Sequence, residues 1–280
     1  MEQKIEGGRT ENRISNQREV DLLLHTFCHL PGINTVEEGN LWRRGILNWD
    51  SLREELLLKA KSPEDTYSRL VLDSIEFSKK ELERNNWDYF FFALPNDQKW
   101  RLFPHIRSRL LYLDIETSGL SREDFITVVG TYDGVTFKEF LRGRDMDDFP
   151  EKVHPTHILV SYNGVAFDVP FIEKEFGRKF KNRHFDLMYL LRSLGYRGGL
   201  KGCEKALGIV RNLPFEVNGA DAVRLWWQYV QYDDLEALDL LLRYNREDVM
   251  HLELLFIKAY NLKLKQTPFY GEVIQEDVPS

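Results

Sequence analysis

Leu110-Leu-Tyr-Leu-Asp-Ile-Glu-Thr-Ser-Gly-Leu120 opens as a run of large apolar side chains, the pattern of a buried strand. Asp114 and Glu116 interrupt it. Residues i and i+2 of a strand project to one face, so the two carboxylates emerge side by side. Thr117, Ser118 and Gly119 then stop the strand with turn chemistry. Two like charges at the end of a buried strand are costly unless compensated, and a divalent cation is the usual compensation. Two solvated acids at an ordinary strand end are the alternative that Asp-x-Glu alone leaves open.

Downstream, Phe125 to Tyr132 and Val135 to Leu141 read as two strands around the hairpin turn Asp133-Gly134. Asp145 to Val153 reads as a short helix, Ile158-Leu-Val-Ser-Tyr162 as another buried strand, and the chain after Asp168 as mostly helix. Strands first, then strand and helix mixed, predict an α/β sheet covered by helices. Upstream, Glu19 to about Asn86 has helical periodicity, with Leu22, Leu23, Phe27 and Leu30 on one apolar face. Thr35-x-x-Glu38 and Ser51-x-x-Glu54 read as capping-box starts. Ser62-Pro63-Glu64-Asp65 reads as the start of a helix reaching Asn85-Asn86. The aromatic stretch Trp87–Phe103, broken by Pro95-Asn96-Asp97, is expected to pack this region onto the sheet. The resulting division is a frayed terminus (1–18), a helical region (19–103), an α/β domain (104–265) and a tail (266–280).

Composition narrows the function classes. No run of eighteen apolar residues is present and the first residues form no signal-peptide core, which argues against a membrane protein. Cys28 and Cys203 stand far apart, which suits a reducing cytosol, so a cytoplasmic location is expected. His25, Cys28 and His29 lack a second ligand cluster and read as ordinary helix residues. A net charge of −7 argues against a broad basic surface for nucleic acid. It does not exclude a metal-dependent nuclease, where bound cations reverse the local sign.

Two further acidic stations follow. Ser161-Tyr-Asn-Gly-Val-Ala-Phe-Asp168 leaves the later strand through an Asn163-Gly164 turn, and Asp168 opens a helix to Phe176. A simple helix-capping role for Asp168 is the alternative there. Tyr244-Asn-Arg-Glu-Asp248 lies inside a long helix from about Asp234 to Tyr260, with Tyr244 and Asp248 on one face and Arg246 and Glu247 directed elsewhere.

Taken in order, Asp-x-Glu, Asn-x-x-x-Phe-Asp and Tyr-x-x-x-Asp resemble the three motifs of the DEDD exonucleases of the ribonuclease H-like superfamily, in the version with tyrosine in the third motif. The chain looks most like the YprB-type family among them, through Leu113–Leu120, Asn163–Pro170, Phe185-Asp-Leu187, Leu200-Lys-Gly-Cys-Glu204, Gly219–Trp226 and Tyr244–Val249. The tetratricopeptide-like tail of some such proteins is not expected within the twenty residues that follow Tyr260. The resemblance implies a ribonuclease H-like mixed sheet flanked by helices, preceded by a small all-α region. It implies hydrolysis of nucleic acid from the 3′ end of single-stranded DNA or RNA with two Mg²⁺ or Mn²⁺ ions. Asp114, Glu116, Asp168 and Asp248 would hold the ions, and Tyr244 would orient water. An endonuclease of ribonuclease H type and a catalytically idle binding module are the rival readings.

Thr117 and Asn163 are candidates for contacting the terminal nucleotide, with turn structure as the alternative. Arg197 and Lys201, with Arg192 and the glycines at 195, 198 and 199, read as a flexible phosphate-contacting loop or a solvated one. Asp186 reads as a helix cap. Adjacent Trp226 and Trp227 cannot share a helix face, so one is expected in the core. Leu30-Pro31-Gly32-Ile33, with Leu41 and Gly45-Ile46, loosely resembles a helix-hairpin-helix DNA-binding motif. Glu37 and Glu38 have the wrong sign for its phosphate, and a structural hairpin is the alternative.

Overall fold

The computed structural model describes residues 21–59, 65–121, 123–214, 217–270 and 274. The proposed frayed terminus, the Ser62-Pro63-Glu64 helix start and most of the proposed tail fall outside them. None of the helices described is long and apolar enough to cross a membrane.

The N-terminal region begins with a 3-10 turn, Leu22–His25, rather than an α-helix. Helix α1 (Thr35–Arg43) is capped by Asn34, whose side chain accepts from the N–H groups of Val36 and Glu37, each at 2.9 Å. The box expected at Thr35 and Glu38 does not form, and Glu38 is buried instead. Helix α2 (Trp49–Lys59) starts on a reciprocal pair one turn earlier than expected. Ser51 N–H donates to Asn48 Oδ1 at 2.9 Å, and Asn48 N–H donates to Ser51 Oγ at 3.1 Å. Helix α3 (Thr66–Glu83) is capped by Asp65.

The proposed hairpin at Pro31-Gly32 lies under α3, where the Tyr67 hydroxyl donates to the Pro31 carbonyl. His29 is buried and bonded to Ser78 Oγ, and burial pushes its pKa down to about 3. Burial likewise pushes the Cys28 thiol up to about 12. Neither carries metal-site chemistry.

Helix α4 (Trp87–Ala93), a 3-10 segment (Asn96–Leu102) and the single turn α5 (Phe103–Ile106) carry the aromatic stretch across to the sheet domain. Phe103 lies 4.2 Å from Phe256, centroid to centroid, and Phe91 lies 5.5 Å from Phe185. One hydrophobic core therefore runs without a break from Leu22 to Leu264.

Strands β1 (Leu110–Thr117), β2 (Ile126–Tyr132) and β3 (Phe137–Leu141) form an antiparallel meander. Helix α6 (Phe149–Lys152) leads to β4 (Ile158–Ser161), and α7 (Asp168–Glu175) leads to β5 (Arg183–Asp186). The sheet order is β3-β2-β1-β4-β5, with β4 and β5 parallel to central β1. Strand β5 is absent from the sequence-based expectation. Its Arg-His-Phe-Asp sequence buries only Phe185 and carries no strand pattern.

Helices α8 (Leu187–Ser193), α9 (Gly199–Ala206), α10 (Gly219–Tyr232) and α11 (Leu235–Leu264) complete the chain. Alternation along β1 separates two faces. Leu111, Leu113 and Ile115 share a core with Phe149 and Ile172, whereas Tyr112 joins the core built on α11 through Val249 and Leu252. Asp114 and Glu116 therefore face α11.

Candidate active site

Strand β1 delivers Asp114 and Glu116 to the sheet face crossed by α11, and α11 delivers Asp248. The three carboxylates bring ligand atoms within 4.8 Å of one another. Close approach of strand and helix is possible because β2 carries Gly130 at the crossing. A Cβ there would stand 2.7 Å from Val249 Cγ2 and collide with Asn245 Oδ1. Asn245 in turn donates to Asp114, at 3.1 Å from Oδ2 and 3.3 Å from the main-chain oxygen.

Asp168 reaches the same region from α7. It occupies the first helical position, where its carboxylate meets its own main-chain N–H. Its Oδ1 also accepts from the Ile115 N–H at 3.2 Å. The turn before it suits this approach. Asn163 adopts φ +64°, and Gly164 leaves no room for a Cβ, which would stand 2.6 Å from Ser161 Cβ and 3.2 Å from Asp168 Oδ2.

The electrostatics of the cluster are unfavourable without a cation. Burial first, then neighbouring carboxylates led by Asp248, hold Asp114 and Glu116 well above the usual carboxylate range. Burial pushes Asp168 up to about 7. Burial also raises Asp248, opposed by Arg211. Glu116 Oε1 is buried and has no hydrogen-bond partner among the described residues. An all-oxygen donor set with an orphaned carboxylate oxygen fits a hard divalent cation such as Mg²⁺ or Mn²⁺.

Tyr244 lies one helical turn before Asp248 and is buried. Its hydroxyl accepts from Lys201 Nζ at 2.9 Å, and burial followed by the Asp248 charge holds its pKa far above the ordinary phenol value. Lys201 is not part of a loop. It projects from α9 and also donates to the Val217 carbonyl.

The other sequence candidates lie at the end of β1, in turns and on α10. Thr117 Oγ1 donates to the Gly119 carbonyl at 2.7 Å. Asn163 N–H donates to Asp186 Oδ1 at 2.8 Å, and Asp186 also caps α8 through the Met188 N–H. Arg197 is exposed and donates to the Arg192 carbonyl, with no bond to the carboxylates among the described residues. Trp226 is buried in the core, while Trp227 is 38 % exposed and donates to the Ser118 carbonyl.

Sequence reasoning missed Arg211. Its guanidinium donates to Asp248 Oδ1 and grips Glu204 in a bidentate pair at 2.7 and 2.8 Å. His251 Nδ1 lies 3.0 Å from Glu204 Oε1 and completes the network. Arg211-Asn212-Leu213-Pro214 reads as polar loop, so no local periodicity points to this role. Asn245 was visible only as the residue after Tyr244.

The chain matches none of the curated proteins. A model of the RNase_H superfamily does match it, over residues 111–260, more than half of the 280. That span encloses both strand carboxylates, Asp168, Arg211, Tyr244 and Asp248, and the mixed sheet with its flanking helices is the fold such a match requires: the chain belongs to the RNase H superfamily.

Proposed function

We propose that the chain is a metal-dependent 3′–5′ exonuclease of DEDD type, hydrolysing the terminal phosphodiester of single-stranded DNA or RNA and releasing nucleoside monophosphates. The observation that carries this reading is the meeting of Asp114, Glu116 and Asp248 within 4.8 Å, with Tyr244 one turn from Asp248 on the same helix face. Asp114, Glu116, Asp168 and Asp248 would hold two Mg²⁺ or Mn²⁺ ions. Such ions polarise the phosphoryl oxygen and lower the pKa of bound water.

The chain's own groups have separable tasks. Tyr244 keeps its proton at neutral pH, because burial and the Asp248 charge both oppose ionisation, so it cannot serve as the base. Lys201 donates to its oxygen, which leaves the phenol proton free to turn toward the carboxylates and orient water. Asn245 holds Asp114 by one oxygen. Arg211 fixes Asp248 and balances part of the cluster's charge. Lys201 is the substrate-side cation best supported by its place beside Tyr244. Thr117 and Asn163 would act through the turns they build, and Arg197 would meet the strand farther from the chemistry.

The test is a single strand of DNA and one of RNA, labelled at the 5′ end and incubated with Mg²⁺ or Mn²⁺ beside an Asp114→Asn control. A metal-dependent ladder shortening from the 3′ end, absent from the control, is the expected result. Cleavage of a closed circular strand would replace this reading by an endonuclease. No cleavage of any strand by folded, metal-bound protein would replace it by a binding module.

A further inference from the structure

A strand bound at this site must find counter-charge locally, since the whole chain carries −7. One cleft beside the carboxylates has the opposite sign. It encloses about 660 Å³ between α9 and residues 208–211, 213, 217 and 218, and its wall brings together Lys201, Lys205 and Arg211. The acid in that wall, Glu204, is 2 % exposed, and both of its oxygens are taken up by Arg211 and His251. Arg211 offsets Glu204 and Asp248, which leaves Lys201 and Lys205 as the charges the cleft presents. Lys205 is exposed and has no ion-pair partner among the described residues. Ile209, Leu213 and Val217 give the same cleft an apolar side. Cations on one wall and aliphatic side chains on another match a phosphate-bearing unit with a flat base.

The cleft is continuous with the proposed chemistry. Lys201 touches the Tyr244 hydroxyl and Arg211 touches Asp248, so the two cations lie between the cleft and the carboxylates. We propose that this cleft seats a nucleotide of the substrate strand, with Lys205 contacting its phosphate and Lys201 and Arg211 marking the side nearer the scissile bond. The inference rests on the exonuclease reading and adds to it a binding site for the strand away from the metal ligands.

The test uses the full chain carrying Lys205→Glu or Val210→Glu. Val210 lines the cleft at 86 % exposure, so both changes fall on exposed positions the fold tolerates. Lys152→Glu is the control, matched in charge to Lys205→Glu and exposed on α6 against the opposite face of the sheet. A 5′-labelled single strand is titrated in Ca²⁺ over a range of salt, and KM and kcat are measured in Mg²⁺ or Mn²⁺. Each cleft variant should weaken binding about tenfold relative to Lys152→Glu, and Lys205→Glu, which removes a cation, should also lower the salt slope by about one. KM should rise in proportion while kcat stays near that of the parent. Cleft variants that match Lys152→Glu in both binding and KM, while the parent still cleaves, would overturn the cleft and leave the exonuclease standing. A parent that neither cleaves nor binds a strand would overturn both.

Discussion

Asp168 Oδ1 accepts the Ile115 N–H at 3.2 Å, so the α7 carboxylate completes the backbone bonding of the strand that bears Asp114 and Glu116. The β1–β4 ladder ends at the Tyr112–Val160 pair, and Ile115 lies beyond it. A side chain thus takes over where the sheet stops. This ties the second acidic station to the first by a hydrogen bond as well as by charge.

Asp168→Asn and Asp168→Ala should therefore separate structure from chemistry. Asparagine retains an oxygen acceptor for the Ile115 N–H, and its unfolding free energy should remain within about 1 kcal/mol of the parent. Alanine leaves a buried donor unsatisfied and should cost about 1–3 kcal/mol. Both should lose metal-dependent cleavage. Urea unfolding and the strand-shortening assay read the two effects independently, and an active Asp168→Asn would remove this residue from the metal site.

The raised carboxyl groups make stability depend on pH in a stated direction. Asp114 and Glu116 lie well above the ordinary carboxylate range and Asp168 is raised to about 7. Each holds its proton in the folded state at a pH where the unfolded chain has lost it. Asp168's contribution is fully present below the unfolded value near 4 and is lost as pH rises through about 7, and those of Asp114 and Glu116 are lost in the same direction. In EDTA the melting temperature should fall between pH 5 and pH 8. Mg²⁺ or Mn²⁺ should restore it at pH 8, because an ion that binds only the native state stabilises by mass action. Glu116→Gln should raise the EDTA melting temperature at pH 8 while abolishing cleavage. A melting temperature that climbs with pH in EDTA would contradict the buried, uncompensated cluster.

Gly130 controls the distance between the sheet and α11. An added Cβ would collide with Asn245 and stand 2.7 Å from Val249 Cγ2, both on the buried side of α11. The helix cannot yield locally, since Val249, Leu252 and Phe256 are fully enclosed. Gly130→Ala should cost about 1–3 kcal/mol through overpacking. It should also lower kcat, because Asn245 would lose its hold on Asp114. Unfolding and single-turnover rates on the same preparation check this, and a variant with parental kcat would show that the Asn245 contact is dispensable.

Much of the architecture was legible because it rests on periodicity. The buried runs of β1, β2 and β4 and the spacing of Tyr244 and Asp248 fix faces directly, and α11 begins at the Asp234 cap where the pattern places it. Strand β5 was not legible, for Arg183 and His184 owe their extended state to pairing with β4 rather than to propensity. Arg211 and Glu204 escaped for a different reason. Arg211 reaches Asp248 across 37 residues of chain, and Glu204 joins it through Arg211 and His251, by tertiary packing alone. The capping signals at Thr35 and Ser51 were misplaced because Asn34 and Asn48, equally good caps, stand just ahead of them.

The Glu38–Arg101 pair ties helix α1 to the aromatic connector. Both side chains are buried, at 1 % and 3 % exposure, and the guanidinium bonds both carboxylate oxygens, at 2.8 and 2.6 Å. Glu38 Oε1 also accepts the N–H groups of Phe27 and Cys28. The acid that would confront a phosphate at the hairpin is thus turned inward, where it joins the 3-10 turn, α1 and the aromatic connector. Arg101→Ala strands a buried charge and should cost about 3–5 kcal/mol. Arg101→Lys should recover little of it, because an ammonium cannot span both oxygens. Adding Glu38→Gln to Arg101→Ala should recover part of the loss by removing the unpaired charge. If the region braces the fold, strand affinity measured well below the melting temperature should equal that of the parent in all three variants. A loss of affinity without a loss of folded protein would instead put the hairpin in contact with nucleic acid.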